Sequence, residues 1–320
     1  MVKNKLTNMM SIDVEDYFHV SAFEKISRPD RWHEFESRVE QNTEKILRIL
    51  NDFDIKATFF VLGWVARSAP HLVKRIASLG HEIASHGYGH QRVPTQSRLE
   101  FRDDVRQSKS MLEDLIGGAV KGYRAPSYSI SLGSLWAFDE LVEAGYSYDS
   151  SVFPVQHDFY GIPDWPRFTF PLQRTGSGWE PGVGSDLPCE IIEVPITTLN
   201  IAGRNIPISG GGYFRLYPYV MTRMGLNLIN NREQRPFVFY LHPWEFDPDQ
   251  PRMTGAGMKS RFRHYLNLHK TEGRFTRLLQ DFSFSTIDDV LSRRAVGDPV
   301  EVLSQNLSVG SVELRQEKLQ

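Results

Sequence analysis

The chain has 320 residues, 40% of them hydrophobic and 12% aromatic, enough to bury a large core and too varied for a fibrous or low-complexity chain. Its formal net charge is −2, and its basic residues read as scattered, which argues against binding nucleic acid by neutralising phosphates. One cysteine, Cys189, excludes an intramolecular disulfide and a cysteine-rich zinc site.

The N-terminal "MVKNKLTNMMSIDVEDYF" has no continuous apolar stretch of the signal-peptide kind, so the expected compartment is the cytoplasm. No later run approaches the ~20 apolar residues that cross a bilayer. "MMSI" reads as a short buried strand ending at Asp13, and the segment from Val39 carries Ile46, Leu47, Leu50 and Phe53 at helical spacing. "KATFFVLG" is a strand closed by Gly63, "HLVKRIASLG" a helix stopped at Gly80, and "HEIAS" a strand that delivers His86. A helix over "SRLEFRDDVRQSKSMLEDLIGG", a strand "VKGYRAP" cut off at Pro126 and a helix over "LGSLWAFDELVEAGY" follow. From Pro154 to Gly212 the chain is rich in Pro, Gly and aromatics with little periodicity, the signature of a long functional loop region or small hairpins. Within and after it come a strand "EIIEVPITTL", a glycine-rich turn "GGGYFRLYP", a helix "YVMTRMGLNLINN" and the most apolar strand, "RPFVFYLHPWEF", ending at His242. "HKTEGRFTRLLQDF" is helical, "FSFSTIDDVL" gives a last strand and short helix, and a charged extension runs over 292–320.

Strands alternating with Gly-closed helices predict a parallel α/β sheet with crossover helices, and periodicity does not distinguish a barrel from an open sheet. One elaborated domain over 1–291 is expected, with no internal repeat. Ligands in such folds are handled at the carboxyl ends of strands. Four expected strand ends carry unusual chemistry: Asp13, Glu15 and Asp16; His86 and His90; Arg124; and His242. On one helical turn, the spacing of His86 and His90 points both imidazoles the same way, with Gly87 and Gly89 letting the backbone bend near an ion. Two nitrogens are an incomplete shell for a hydrolytic metal, which takes three protein ligands and keeps a position for water. The "DVED" segment offers the third, an oxygen: Glu15 is preferred because it shares a side with Asp13 on an extended chain, and Asp16 is its rival.

"SIDVEDYFHV", "SHGYGH", "YRAPSYS", "YDSSVFP", "GGGYFRLYPY" and "FYLHPWEFDPDQP", in this order over roughly residues 9 to 290, resemble the NodB-homology polysaccharide deacetylases, carbohydrate esterase family four. Within that family the chain looks most like the branch found beside exosortase (PEP-CTERM) exopolysaccharide loci, with 154–290 as its elaboration. The resemblance implies a distorted, incomplete (β/α) barrel and one divalent metal, zinc by expectation. It also implies hydrolysis of acetyl groups, N-acetyl above all, on an oligo- or polysaccharide. By the same resemblance Asp13 takes the position of the general base, His86 and His90 those of the ligand pair, Arg124 that of the arginine holding the base, and His242 that of the general acid. Three departures from the family pattern matter. Val14 follows Asp13 where a second aspartate is common. Ser127 stands where a tyrosine is usual, with Tyr128 next. Val152 stands where an aspartate commonly tunes the acid histidine, a role left open among Asp149, Asp158 and Glu245. Tyr128, Tyr160, Trp165, Trp179, Tyr213 and Trp244 are candidates to stack on sugar faces, Arg215 to recognise an anionic sugar or brace a loop, and His157 and Asp158 to set specificity. A ring-opening amidohydrolase on a cyclic imide or ureide, and a non-catalytic carbohydrate-binding relative, are the competing readings.

Overall fold

The computed structural model describes residues 6–157, 160–176, 178–182 and 189–297. β1 (Thr7–Val14) is the centre of the fold and is buried along nearly its whole length, as a strand covered on both faces must be. β2 (Thr58–Val61), β3 (Glu82–Ser85), β4 (Gly122–Tyr123), β5 (Tyr148–Asp149) and β8 (Ile191–Glu193) follow it outward in parallel, and β11 (Val238–Leu241) and β12 (Ser283–Ser285) pair parallel with β1 itself. β6 (Phe170–Thr175) and β7 (Gly178–Pro181) extend the far edge antiparallel, and β9 (Thr198–Ile201) with β10 (Arg204–Pro207) make a separate hairpin. Among the described residues β7 and β11 do not pair, so the curved sheet is an incomplete barrel.

The helices α1 (Val39–Asp52), α2 (Gly63–Ser68), α3 (Pro70–Ser78), α4 (Arg98–Ile116) and α5 (Ala137–Glu143) are the crossovers between parallel strands, as the alternating pattern predicts. α6 (Gly211–Leu216), α7 (Tyr219–Asn231), α8 (Met258–Tyr265), α9 (Thr271–Asp281) and α10 (Ile287–Gly297) belong to the C-terminal half. Local chemistry explains several ends. Ser97 and Glu100 form a capping box at the start of α4, and Gly117 closes it in the left-handed region at φ 66°.

Side-chain alternation divides the core in two. Met10, Ile12 and Val14 of β1 join Phe59, Val61, Phe239 and Leu241 under the helices. Met9, Phe60, Ala84, Tyr148, Val238 and Tyr240 fill the lumen. By this period of two, Ser11 and Asp13 point into the lumen at the carboxyl end of β1. Gly122 is required there, since a Cβ would strike the Tyr148 ring.

Three expectations change. "GGGYFRLYP" is not simply a turn: Gly210 and Gly211 take positive φ against Tyr240, where a side chain has no room, and the chain then coils into α6. "EIIEVPITTL" is two strands, β8 and β9, in different sheets, interrupted around Pro195. α10 runs on through residue 292, the expected start of the extension, and residues 298–320 lie outside the described residues.

Candidate active site

Asp13 and Arg124 form a buried ion pair at the top of the lumen, Nη1 to Oδ1 at 2.6 Å, with side chains 2% and 0% exposed. The remaining guanidinium donors are also used: Nη1 reaches Ser11 Oγ (2.8 Å), Nη2 reaches Ser150 Oγ (2.9 Å) and Nε the Ser150 carbonyl (3.2 Å). The cation also lies over the Phe60 ring at 4.0 Å. The other carboxylate oxygen of Asp13 accepts from Tyr128 Oη at 3.4 Å and stands 3.9 Å from His242 Nε2.

Immediately after β1 the Glu15 N–H donates to the Asp13 carbonyl at 3.0 Å, closing a three-residue turn that sends Glu15 toward the histidines. Glu15, His86 and His90 each offer one ligand atom, all within 4.8 Å of one another. His90 Nε2 is 2.7 Å from Glu15 Oε2, an oxygen that is buried without a hydrogen-bond donor of its own. His86 Nδ1 is 2.7 Å from the Arg124 carbonyl. A carbonyl only accepts, so Nδ1 carries the proton and Nε2 keeps its lone pair, the arrangement by which an outer partner fixes a metal-binding histidine. Burial pushes the His86 imidazole down to about 4, which keeps it neutral at pH 7. Burial alone would raise Glu15, but His90, His242 and His86 hold its carboxyl well below the usual range.

The two histidines do not stand on a helical turn. His86–His90 is an irregular loop with Gly87 at φ 73° and His90 at φ 49°, and Asp104 of α4 holds it by accepting the Tyr88 and Gly89 N–H groups at 3.0 and 3.2 Å. A side chain at Gly87 would meet Asp104 Oδ1 at 2.7 Å, so the glycine is needed for close approach as well as for its φ.

Asp16, the rival to Glu15, faces elsewhere. Its Oδ2 accepts from Ser37 Oγ (2.9 Å) and from the N–H groups of Arg38 (2.7 Å) and Val39 (3.1 Å), capping the start of α1, while Oδ1 accepts from Tyr17 N at 3.0 Å.

His242 closes β11 with its ring stacked on Trp244 at 5.3 Å, and its Nε2 lies 3.6 Å from Glu15 Oε1. Of the three carboxylates left open as its partner, Glu245 fills the place: Oε2 accepts from His242 N at 3.0 Å and stands 3.2 Å from Nδ1. Asp149 is on the outward face of its strand and binds Ser151 N and Oγ instead; Asp158 lies outside the described residues. Burial works to lower His242, but Glu15, Glu245 and Asp13 together push it up to about 9.

Arg215 is a brace and not a sugar contact. It is buried, donates Nε to Glu245 Oε1 at 2.7 Å and gives Nη1 to the carbonyls of Arg263, His264 and Leu266. Trp244 is also inside, giving its indole N–H to Glu15 Oε1 at 3.0 Å, and its face is taken by His264, stacked at 4.2 Å. Trp165 and Trp179 pack on Phe138 in the core. His157, Tyr160 and Tyr213 are half-buried near the site: His157 stacks on Tyr160 at 3.9 Å, Tyr160 is hydrogen-bonded to Tyr213, and Tyr160 packs edge-on to Tyr128 at 6.5 Å. The supporting residues Ser11 and Ser150 lie inside the quoted "SIDVEDYFHV" and "YDSSVFP" stretches without a role assigned to them, and Asp104 lies outside every quoted motif. Beyond that, their sequence signal is placement at or beside a strand end or on the helix behind the histidine loop.

The open parallel barrel thus sets a carboxylate–histidine–histidine cluster beside a second, arginine-held carboxylate. Residues 28–146 match the family described as polysaccharide deacetylase, and residues 150–292 match a domain of unknown function, DUF3473. The polysaccharide deacetylase match is thus confined to residues 28–146, and the second module follows it directly in the chain. A peptidoglycan-N-acetylglucosamine deacetylase of Bacillus cereus is 38% identical over 99 residues, 31% of this chain and 36% of the relative. The chain therefore spans about a third of that relative's length. The crystal structure of a putative polysaccharide deacetylase from Mycobacterium smegmatis matches with TM-score 0.55 at 16% identity, covering 92% of this chain and 93% of that one. Puue allantoinase matches with TM-score 0.54 at 12% identity, covering 91% and 90%. These two likenesses are of fold.

Asp16→Ala should leave metal binding at the histidine pair unchanged and lower the unfolding free energy by about 2 kcal/mol, through the lost cap and buried donors left unpaired. Metal titration and denaturant unfolding of the same protein check both halves.

Proposed function

We propose that the protein is a metal-dependent deacetylase that removes acetyl groups, N-acetyl first among them, from a polysaccharide or its saccharide precursor. The observation that carries this reading is the separation of two carboxylates with different partners: Glu15 with the two histidines, Asp13 with Arg124. The motif resemblance adds exopolysaccharide biosynthesis as its setting, and the match to a deacetylase family supports the reaction.

Glu15, His86 and His90 would hold the ion, and the fit is supported by Glu15 Oε2, buried 2.7 Å from His90 Nε2 with no well-aligned donor among the described residues, and by the fixed lone pair of His86. The set of two nitrogens and one oxygen suits zinc. When bound, such an ion lowers the pKa of water and polarises an acyl carbonyl. Asp13 accepts the proton of the attacking water, and Arg124, 2.6 Å from its Oδ1, holds the carboxylate in place for that task. Ser127, left-handed at φ 55°, has an N–H that no backbone carbonyl takes among the described residues, whereas Tyr128 N–H is bound to the Ala125 carbonyl; Ser127 is the backbone donor for the developing oxyanion. His242 gives its proton to the departing amine, which Glu245 supports by orienting the ring through Nδ1. His157, Tyr160 and Tyr213 form the wall for the sugar.

The test is acetate release from a panel of acetylated oligosaccharides together with metal content. His86→Ala should lose both metal and acetate release while remaining folded. A wild type that holds metal and releases no acetate from any sugar, but opens a cyclic imide or ureide, contradicts the proposal. Glu245→Gln should keep its metal, turn over roughly ten- to a hundredfold more slowly, and lose about 3 kcal/mol of stability from the buried Arg215 left without a counter-charge.

A further inference from the structure

The sequence reads as having scattered basic residues, yet one surface segment concentrates them. Between Pro251 and Thr271 lie Arg252, Lys259, Arg261, Arg263 and Lys270, and no Asp or Glu. All five side chains are exposed, and none is ion-paired among the described residues. Arg252 instead lies over the Tyr265 ring at 4.1 Å. In a chain of net charge −2 this is a local excess of positive charge, and Glu24, which shares a cavity with Gly257 and Ser260 at the start of α8, is itself paired with Arg92.

The same segment carries α8, whose apolar residues sit on the wrong side for a core. Met258 is 86% exposed and Phe262 63%, and at four residues' separation they stand one above the other. At 100° per residue, Lys259 and Arg263 flank this ridge on one side and Arg261 on the other. The opposite face, through His264, is buried against Phe23 and Trp244. Three carbonyls at the end of the helix, of Arg263, His264 and Leu266, are held by buried Arg215, so α8 is fixed to the catalytic end of the barrel.

We infer that α8 is a docking surface for an anionic phospholipid bilayer. The charge pattern selects the occupant. A bilayer offers a layer of negative headgroups with an apolar phase beneath it, and a ridge of Phe and Met between cations matches both layers at once. A polyanionic saccharide would engage the cations and leave Met258 in water. Because His264 stacks on the indole that binds Glu15, docking by α8 would place the site within one side-chain layer of the membrane-bound helix. The inference goes beyond the proposed reaction and does not depend on it. Failure to bind vesicles leaves deacetylation standing, and failure to release acetate leaves docking standing.

Flotation of the full chain with vesicles of phosphatidylcholine, with and without phosphatidylglycerol, is the test. Wild type should float with the phosphatidylglycerol vesicles alone and be released by high salt. Phe262→Ser should weaken that partition by roughly tenfold, and Lys259→Glu with Arg261→Glu by roughly tenfold or more. Neither variant should move the thermal midpoint, since these side chains are in water. Three results overturn the inference: no binding to either vesicle, equal binding to both, or loss with the charge variant while Phe262→Ser binds as wild type. The last result would assign the patch to a soluble polyanion such as an acidic saccharide.

Discussion

The site depends on the buried Arg124–Asp13 pair. A buried charge is tolerated only when paired and hydrogen-bonded, and Arg124 meets that condition through Asp13, Ser11 and both the hydroxyl and carbonyl of Ser150. Its backbone does a second job, since its carbonyl sets the His86 tautomer. One residue at the end of β4 thereby connects the proposed base to the proposed ligand set. Removing either charge would leave the other stranded among Phe60, Tyr128 and Tyr148, at about 3 to 5 kcal/mol.

The parts come from distant stretches of chain. Asp13 and Glu15 precede the polysaccharide deacetylase match at residues 28–146, which supplies His86, His90 and Arg124. His242, Glu245 and Arg215 lie in the DUF3473 match at residues 150–292. β1 joins them by pairing with β2 on one side and β11 on the other, with Ser11 in register with both Thr58 and Tyr240. The module of unknown function therefore completes the constellation: it brings the histidine, the carboxylate that orients it and the arginine that braces that carboxylate.

Much of this was legible because strands are short and period two is strict. "SIDVED", "EIASH", "GYR" and "FVFYLH" each end a buried run on a polar residue, and all four ends converge. What the pattern hid has specific physical causes. Alternation ranks Glu15 ahead of Asp16, but the physical reason for their separation lies elsewhere: the hydrogen bond from Glu15 N to Asp13 O turns the chain, and the start of α1 claims Asp16. The histidine spacing suits a helical turn, but Gly87 at positive φ and the Asp104 carboxylate favour a loop. Arg215 beside glycines reads equally as a ligand contact and as a brace, and only the burial of Glu245 decides it. Trp165 and Trp179 show that an aromatic in a loop-rich region is as often core as groove. α8 escaped because its exposed Met and Phe break the rule that helical apolar residues face inward.

Two carboxylates two residues apart divide the work of the proposed site. Metal binding and acetate release measured on Asp13→Asn against wild type test this division most directly. The variant should show unchanged metal affinity and no detectable turnover, since Glu15, His86 and His90 remain while the proton acceptor is gone. Loss of metal along with activity would place Asp13 among the ligands and contradict the account.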